Sequence, residues 1–186
     1  MKDMERSLSR TEWREAATGG LYAGLAYALL TIAAHAGRSM PGLVTILNAV
    51  SFFSFAGFLY FYARRMAAYA GGDGFSYGRS LLFVLKMSLF AGVLAGVGQF
   101  VLVNWIDPEG FREQFDLMVA NMAGGGMGEK EAEMVGSLGL KLMRNPLFAV
   151  FSGIFSMLIY GGLLGLLISI FVRRPADPFG GGTSAE

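Results

Sequence analysis

The sequence predicts an all-α fold: an integral membrane four-helix bundle with an amphipathic helical hairpin between spans three and four. Three observations lead there. Four long apolar stretches, residues 16–36, 43–63, 81–106 and 147–172, alternate with charged connectors. At about 1.5 Å per residue each can cross a hydrocarbon core of roughly 30 Å, and a spanning backbone satisfies its own hydrogen bonds as a helix. The composition, 54% hydrophobic and 16% charged, is too apolar for an ordinary soluble domain. The connector at 107–146 repeats apolar residues at helical spacing, with charges on the other face.

Residues 1–15 mix Lys2, Arg6, Arg10 and Arg14 with Asp3, Glu5, Glu12 and Glu15, and read as a cytoplasmic N-terminal segment. Ala34-His35-Ala36 resembles a signal-peptidase site, but the apolar run is too long for a cleaved signal and favours an anchored first span. Ser9 with Glu12 reads as a capping box that starts this helix. His35, one residue from the turn at 37–42, is expected to be a wet interfacial side chain. In span two Asn48, Ser51 and Ser54 recur every third residue, placed to bond across the bundle or to line a polar path.

The connector into span three holds the flexible turn Gly71-Gly72-Asp73-Gly74. Within span three Lys86 is the one charged residue of any span, and Gln99 and Asn104 are polar. With no Asp or Glu in the spans, a buried ion pair is not expected; Lys86, about 9 Å inside its helix, is expected to snorkel to the interface. The alternative is a solute or ion contact.

Asp107-Pro108 is a helix-start signal, Asp107 as cap and Pro108 at the first helical position. Phe111, Phe115, Met118 and Met122 then share one face opposite Glu109, Arg112, Glu113 and Asp116. Gly124-Gly125-Gly126 breaks this helix, and a second, 129–144, carries Met134, Val135, Leu138 and Leu142 on an apolar face. The Phe and Met face is the candidate partner contact; the alternatives are a lid, or a cover lying on the outer membrane surface or on the tops of the spans. Asn145-Pro146 restarts the chain into span four. Glycine pairs four apart, Gly20 and Gly24, Gly92 and Gly96, Gly161 and Gly165, suit close helix contacts, within the bundle rather than between copies. Residues 173–186 read as a flexible cytoplasmic tail.

Basic residues cluster in the N-terminal segment, at Arg64, Arg65 and Arg79, and at Arg173 and Arg174, which puts both termini inside and 107–146 outside. Tyr77-Gly78-Arg79-Ser80, Lys86, the exit Asn104-Trp105-Ile106-Asp107-Pro108, the acidic helix after it and a Gly-rich last span ending in Arg173-Arg174 together resemble the family labelled domain of unknown function 4199. The resemblance spans residues 15 to 174. It implies a small four-span protein of the bacterial inner membrane with a long loop before the last span, and it implies no activity. The Gly-rich tail departs from the longer Lys-rich tails of most members.

The net charge of +1 argues against nucleic acid as a partner, and the absence of cysteine removes disulfides and thiolate metal sites. No catalytic set, metal cluster or phosphate loop is legible, so no enzyme activity and no cofactor are expected. The expected partners are the lipid bilayer and another membrane protein or a second copy. An accessory or scaffold subunit is the leading reading; a small oligomeric transporter or channel using Lys86 and the polar face of span two is the alternative.

Overall fold

The computed structural model describes residues 2–70 and 74–175. The Gly71-Gly72-Asp73 part of the predicted turn, the tail beyond Pro175 and the side chains of the first eight residues lie outside the described residues. Among the described residues six helices follow in order: α1 (Lys2–Ala36), α2 (Pro41–Tyr69), α3 (Tyr77–Val101), α4 (Pro108–Gly124), α5 (Glu129–Met143) and α6 (Pro146–Val172). The last turn of α3, Leu102–Ile106, is wound as a π-helix. Stretches of α1, α2, α3 with its π turn, and α6 are long and apolar enough to cross a bilayer, so this is a multi-pass membrane protein.

Capping residues set most boundaries. The Ser76 hydroxyl accepts the Arg79 N–H at 3.3 Å to start α3, Asp107 Oδ1 accepts the Gly110 N–H at 3.0 Å to start α4, and Asn145 Oδ1 accepts the Leu147 N–H at 2.9 Å to start α6. Pro41, Pro108 and Pro146 sit in the first turns of α2, α4 and α6, where a missing N–H costs nothing. The capping box at Ser9 does not form. The helix already runs from Lys2, because no Gly or Pro interrupts the chain ahead of Ser9, which therefore lies inside α1.

α3 is the central helix, flanked by α1 and α6. Gly20 meets the Met87 carbonyl, and one turn on, a methyl at Gly24 would lie 2.6 Å from the Ala91 carbonyl oxygen. The two partners advance together, so α1 and α3 run parallel. Against α6 the direction reverses: a methyl at Gly96 would lie 2.5 Å from the Ala149 carbonyl oxygen, Gly161 sits on Ser88, and Gly165 on Val84. All three glycine pairs thus lie inside the bundle. Lipid gives helices no hydrophobic reason to associate, so these contacts rest on backbones brought close together.

α2 packs on α1 through Phe55, Leu59, Tyr62 and Met66, all buried, yet none of residues 41–50 is buried. The helix therefore departs from the bundle toward the end that carries the α4–α5 hairpin. At the opposite end, where α1 begins and α6 ends, Phe75 is fully buried and its backbone exchanges two 2.9 Å hydrogen bonds with Arg174. Arg174, expected in a loose tail, is instead pinned to the α2–α3 connector.

That same end contains the ion pairs that the sequence reading excluded. Glu12 and Glu15 of α1 are each only 8% exposed. Arg79 Nε donates to Glu12 at 2.5 Å, Lys86 Nζ donates to Glu12 at 3.4 Å, and Arg65 donates to Glu15 at 3.3 Å. Lys86 does not simply snorkel: its ammonium also lies 4.9 Å from the Trp13 ring centre. The expectation failed because α1 extends as one helix below its apolar stretch, and the parallel packing slides its carboxylates alongside α3.

Gly24→Ala and Gly57→Ala should move stability in opposite directions. The first forces α1 off α3 and should cost about 1–3 kcal/mol, as overpacking does. The second adds a methyl where nothing lies within 4 Å and should be neutral or stabilising by up to about 1 kcal/mol through helix propensity. Thermal unfolding in mild detergent reads both.

Candidate functional site

Three groups from separate elements converge at the hairpin end. The π turn redirects the chain at Asp107, whose N–H bonds the Leu102 carbonyl at 3.0 Å. Asp107 Oδ1 is occupied by the α4 cap, and Oδ2 takes His35 Nε2 at 2.6 Å and Arg38 Nη1. An ionised carboxylate only accepts, so His35 Nε2 carries the proton it shares with Asp107. The His35 ring is stacked on Phe111 of α4, centroids 5.3 Å apart and planes 14° from parallel. The side chain is 14% exposed. His35 is therefore not a wet interfacial group but one side of a clasp that holds the hairpin to the end of α1.

Beneath this clasp α2 diverges and leaves two adjoining cavities. The outer one, about 560 Å³, is lined by His35, Arg38, Thr45, Asn48 and Gln99 among others. The inner one, about 270 Å³, lies between α1, α2 and α6 and is lined by Tyr27, Asn48, Ser51, Phe52, Phe55 and Tyr160, with Thr31 and Met157. Thr31 and Asn48 border both. Thr31 is internally satisfied, its hydroxyl donating to the Tyr27 carbonyl at 2.9 Å. The Ser51 hydroxyl is buried without a hydrogen-bond partner.

The predicted intramembrane polar residues divide between the two ends. Asn48 and Gln99 share the outer cavity, whereas Lys86 lies toward the terminal end in the Glu12 and Trp13 cluster. Of the predicted partner-contact residues, Phe111 faces His35, Phe115 packs on Gly139 of α5, and Met118 and Met122 are half-buried. The inward face of α5 is small, Ala132 and Gly136 being buried and Gly136 meeting Val119. Its large side chains point away: Met134 is 62% exposed and Leu138 52%, with Val135 and Leu142 also exposed. The sequence reading missed His35, Arg38, Tyr27 and Tyr160 as site residues. The available signal was Asp107, a carboxylate at a span end with a second oxygen left over after capping.

Asp107→Asn separates the two duties of that side chain. Asparagine caps as well as aspartate, so the loss on substitution reports the clasp, about 1–3 kcal/mol for hydrogen bonds to a charged group. Asp107→Ala should lose roughly 1 kcal/mol more with the cap. Thermal unfolding of the two variants beside the parent gives both values, and an Asp107→Asn variant as stable as the parent would assign the whole effect to the cap.

Among the described residues no group of three or more His, Cys, Asp or Glu side chains is placed to hold a metal ion. No curated protein and no solved structure matches the chain. The family described as protein of unknown function, DUF4199, matches residues 18–174, which include spans two to four, span one from residue 18 on, the clasp and both cavities. The chain belongs to the DUF4199 family.

Proposed function

We propose that this protein is a non-enzymatic accessory or scaffold subunit of the bacterial inner membrane, and that its outer hairpin presents α5 to another membrane protein. The observation that carries this reading is the uncovered stripe Met134, Val135, Leu138 and Leu142 on a helix that uses its alanine and glycine face to pack at home. Large apolar side chains left in contact with water beyond the spans mark interaction surfaces. Residues 107–146 carry seven acids against four bases, so an anionic lipid surface is a poorer match than a protein. The α4 face offered by periodicity is already in use against His35 and Gly139. The transporter alternative is weaker, since Lys86 and Asn48 stand in different halves of the bundle and do not line one route.

The basic residues at Arg10, Arg14, Arg64, Arg65, Arg173 and Arg174 support an orientation with both termini in the cytoplasm and the hairpin outside. Single cysteines at Ser76 and Gly125 should therefore react differently with an impermeant maleimide in spheroplasts. Labelling is expected at Gly125, and labelling at Ser76 instead would invert the topology.

For the hairpin, the double substitution Met134→Asp and Leu138→Asp should leave the melting temperature of the purified protein unchanged while abolishing co-purification of its membrane partner. Phe115→Ser should do the reverse first, lowering stability by about 1–2 kcal/mol for a half-buried ring. A large loss of stability from the α5 pair would show that its stripe packs on the bundle.

A further inference from the structure

The inner cavity is lined by polar side chains that the fold leaves unpaired. Serines and threonines in these helices usually quench their own hydroxyl on the carbonyl one turn back, as Ser88 does to Val84 at 2.9 Å, Thr31 to Tyr27 and Thr45 to Pro41. Ser51 does not, and although the hydroxyls of Ser80 and Ser169 in the α3–α6 seam are likewise buried without a partner, Ser51, only 5% exposed, is the one of the three that lines this cavity. Asn48, one turn closer to the hairpin and about 10 Å along α2 from Pro41, makes no side-chain hydrogen bond among the described residues. A polar group left unsatisfied at that depth in lipid costs free energy that a bound partner recovers. Two hydrogen-bonding side chains are thus offered to one space.

The rest of the lining specifies what fits. Four rings, Tyr27, Phe52, Phe55 and Tyr160, surround the cavity, and no charged side chain reaches it. The nearest charges, Arg38 and His35 in the outer cavity, are already engaged by Asp107. A phosphate or carboxylate finds no counter-charge here. A cavity of about 150 Å³ holds a benzene molecule, so 270 Å³ admits a single substituted ring. Phe52 and Tyr160 are 43% and 51% exposed, leaving a way out to the lipid between α2 and α6, whose packing is the lightest of the neighbouring pairs around the bundle.

We propose that the cleft between α1, α2 and α6 binds a lipid-tailed benzoquinone, with its ring among the aromatic side chains, its carbonyl oxygens accepting from Ser51 and Asn48, and its tail leaving between α2 and α6. The match is of neutral acceptors to neutral donors, inside a ring-lined slot reached sideways from the bilayer. This site is separate from the α5 surface and stands whether or not that surface binds a partner.

The test uses the full chain in phosphatidylcholine nanodiscs and an azido-benzoquinone with a ten-carbon tail as photolabel. Saturable labelling of one site per chain is expected, on peptides containing Phe52 or Tyr160, with competition by the unlabelled decyl quinone. Asn48→Leu, at an exposed position that tolerates the change, and Ser51→Ala should each weaken labelling about tenfold, the equivalent of one hydrogen bond. Ser51→Phe, which fills the slot, should abolish it. Non-saturable labelling overturns the proposal. So does labelling unchanged by Asn48→Leu in a protein of parental melting temperature. Equal competition by dioleoylphosphatidylglycerol would assign the cleft to an ordinary lipid, and loss of a homodimer on Asn48→Leu would assign it to a second copy; either result overturns the quinone.

Discussion

Backbone-to-backbone contact along α3 is the constraint on which the rest of the structure depends. In lipid, apolar side chains gain nothing by leaving one apolar neighbour for another, so helices hold together where small residues permit close approach and polar groups can meet. α3 supplies such contacts on two sides, to α1 at Met87 and Ala91 and to α6 at Gly92 and Gly96. Because α1 lies parallel to α3 and in close register, Glu12 comes level with Arg79 and Lys86. Because α6 lies antiparallel, its end returns to the α2–α3 connector and meets Phe75. By the same register Ser80 and Ser169, one turn beyond Val84 and Gly165, fall opposite each other in that seam.

The looser fit of α2 follows from the same constraint. Its residues 41–50 contain Gly42 alone among glycines, and a methyl there would touch nothing within 4 Å. With no small-residue stripe to draw it in, this half of the helix stands away from α6, and the space left over becomes the two cavities. The clasp of His35, Arg38 and Asp107 closes their outer edge. Rigidity on one side of α1 and openness on the other thus have one cause, the uneven distribution of small residues among the four spans.

Much of the fold was legible in the sequence. Span length and hydropathy gave four helices, and Asp107, Asn145 and the prolines marked where helices begin. Two kinds of feature were not legible. Long-range pairing was one, since Lys86 and Glu12 are 74 residues apart and His35 and Asp107 are 72 apart, and periodicity within a helix does not say which helix lies beside it. The inward face of α5 was the other. Hydrophobic spacing picks out large side chains, Met134, Leu138 and Leu142, whereas the contact with α4 is made by Ala132 and Gly136, whose contribution is the absence of bulk. In the candidate site, Asn48 and Gln99 were found because polar residues in spans are rare, while Tyr27 and Tyr160 were hidden in an apolar chain that is 13% aromatic.

The two glycine faces of α3 also order the birth of the molecule. α1 has entered before α3 appears, so that seam can close at once. The partner of Gly92 and Gly96, however, is α6, and the whole hairpin is translated in between. At about 5–20 residues per second the second face of α3 waits for several seconds, narrow and unmatched, in the bilayer. During that interval the nascent chain displays to its surroundings a helix surface that the finished protein never shows. Closure of α6 covers that surface, and only then, with the last turn of the last span in place, can Phe75 pair with Arg174.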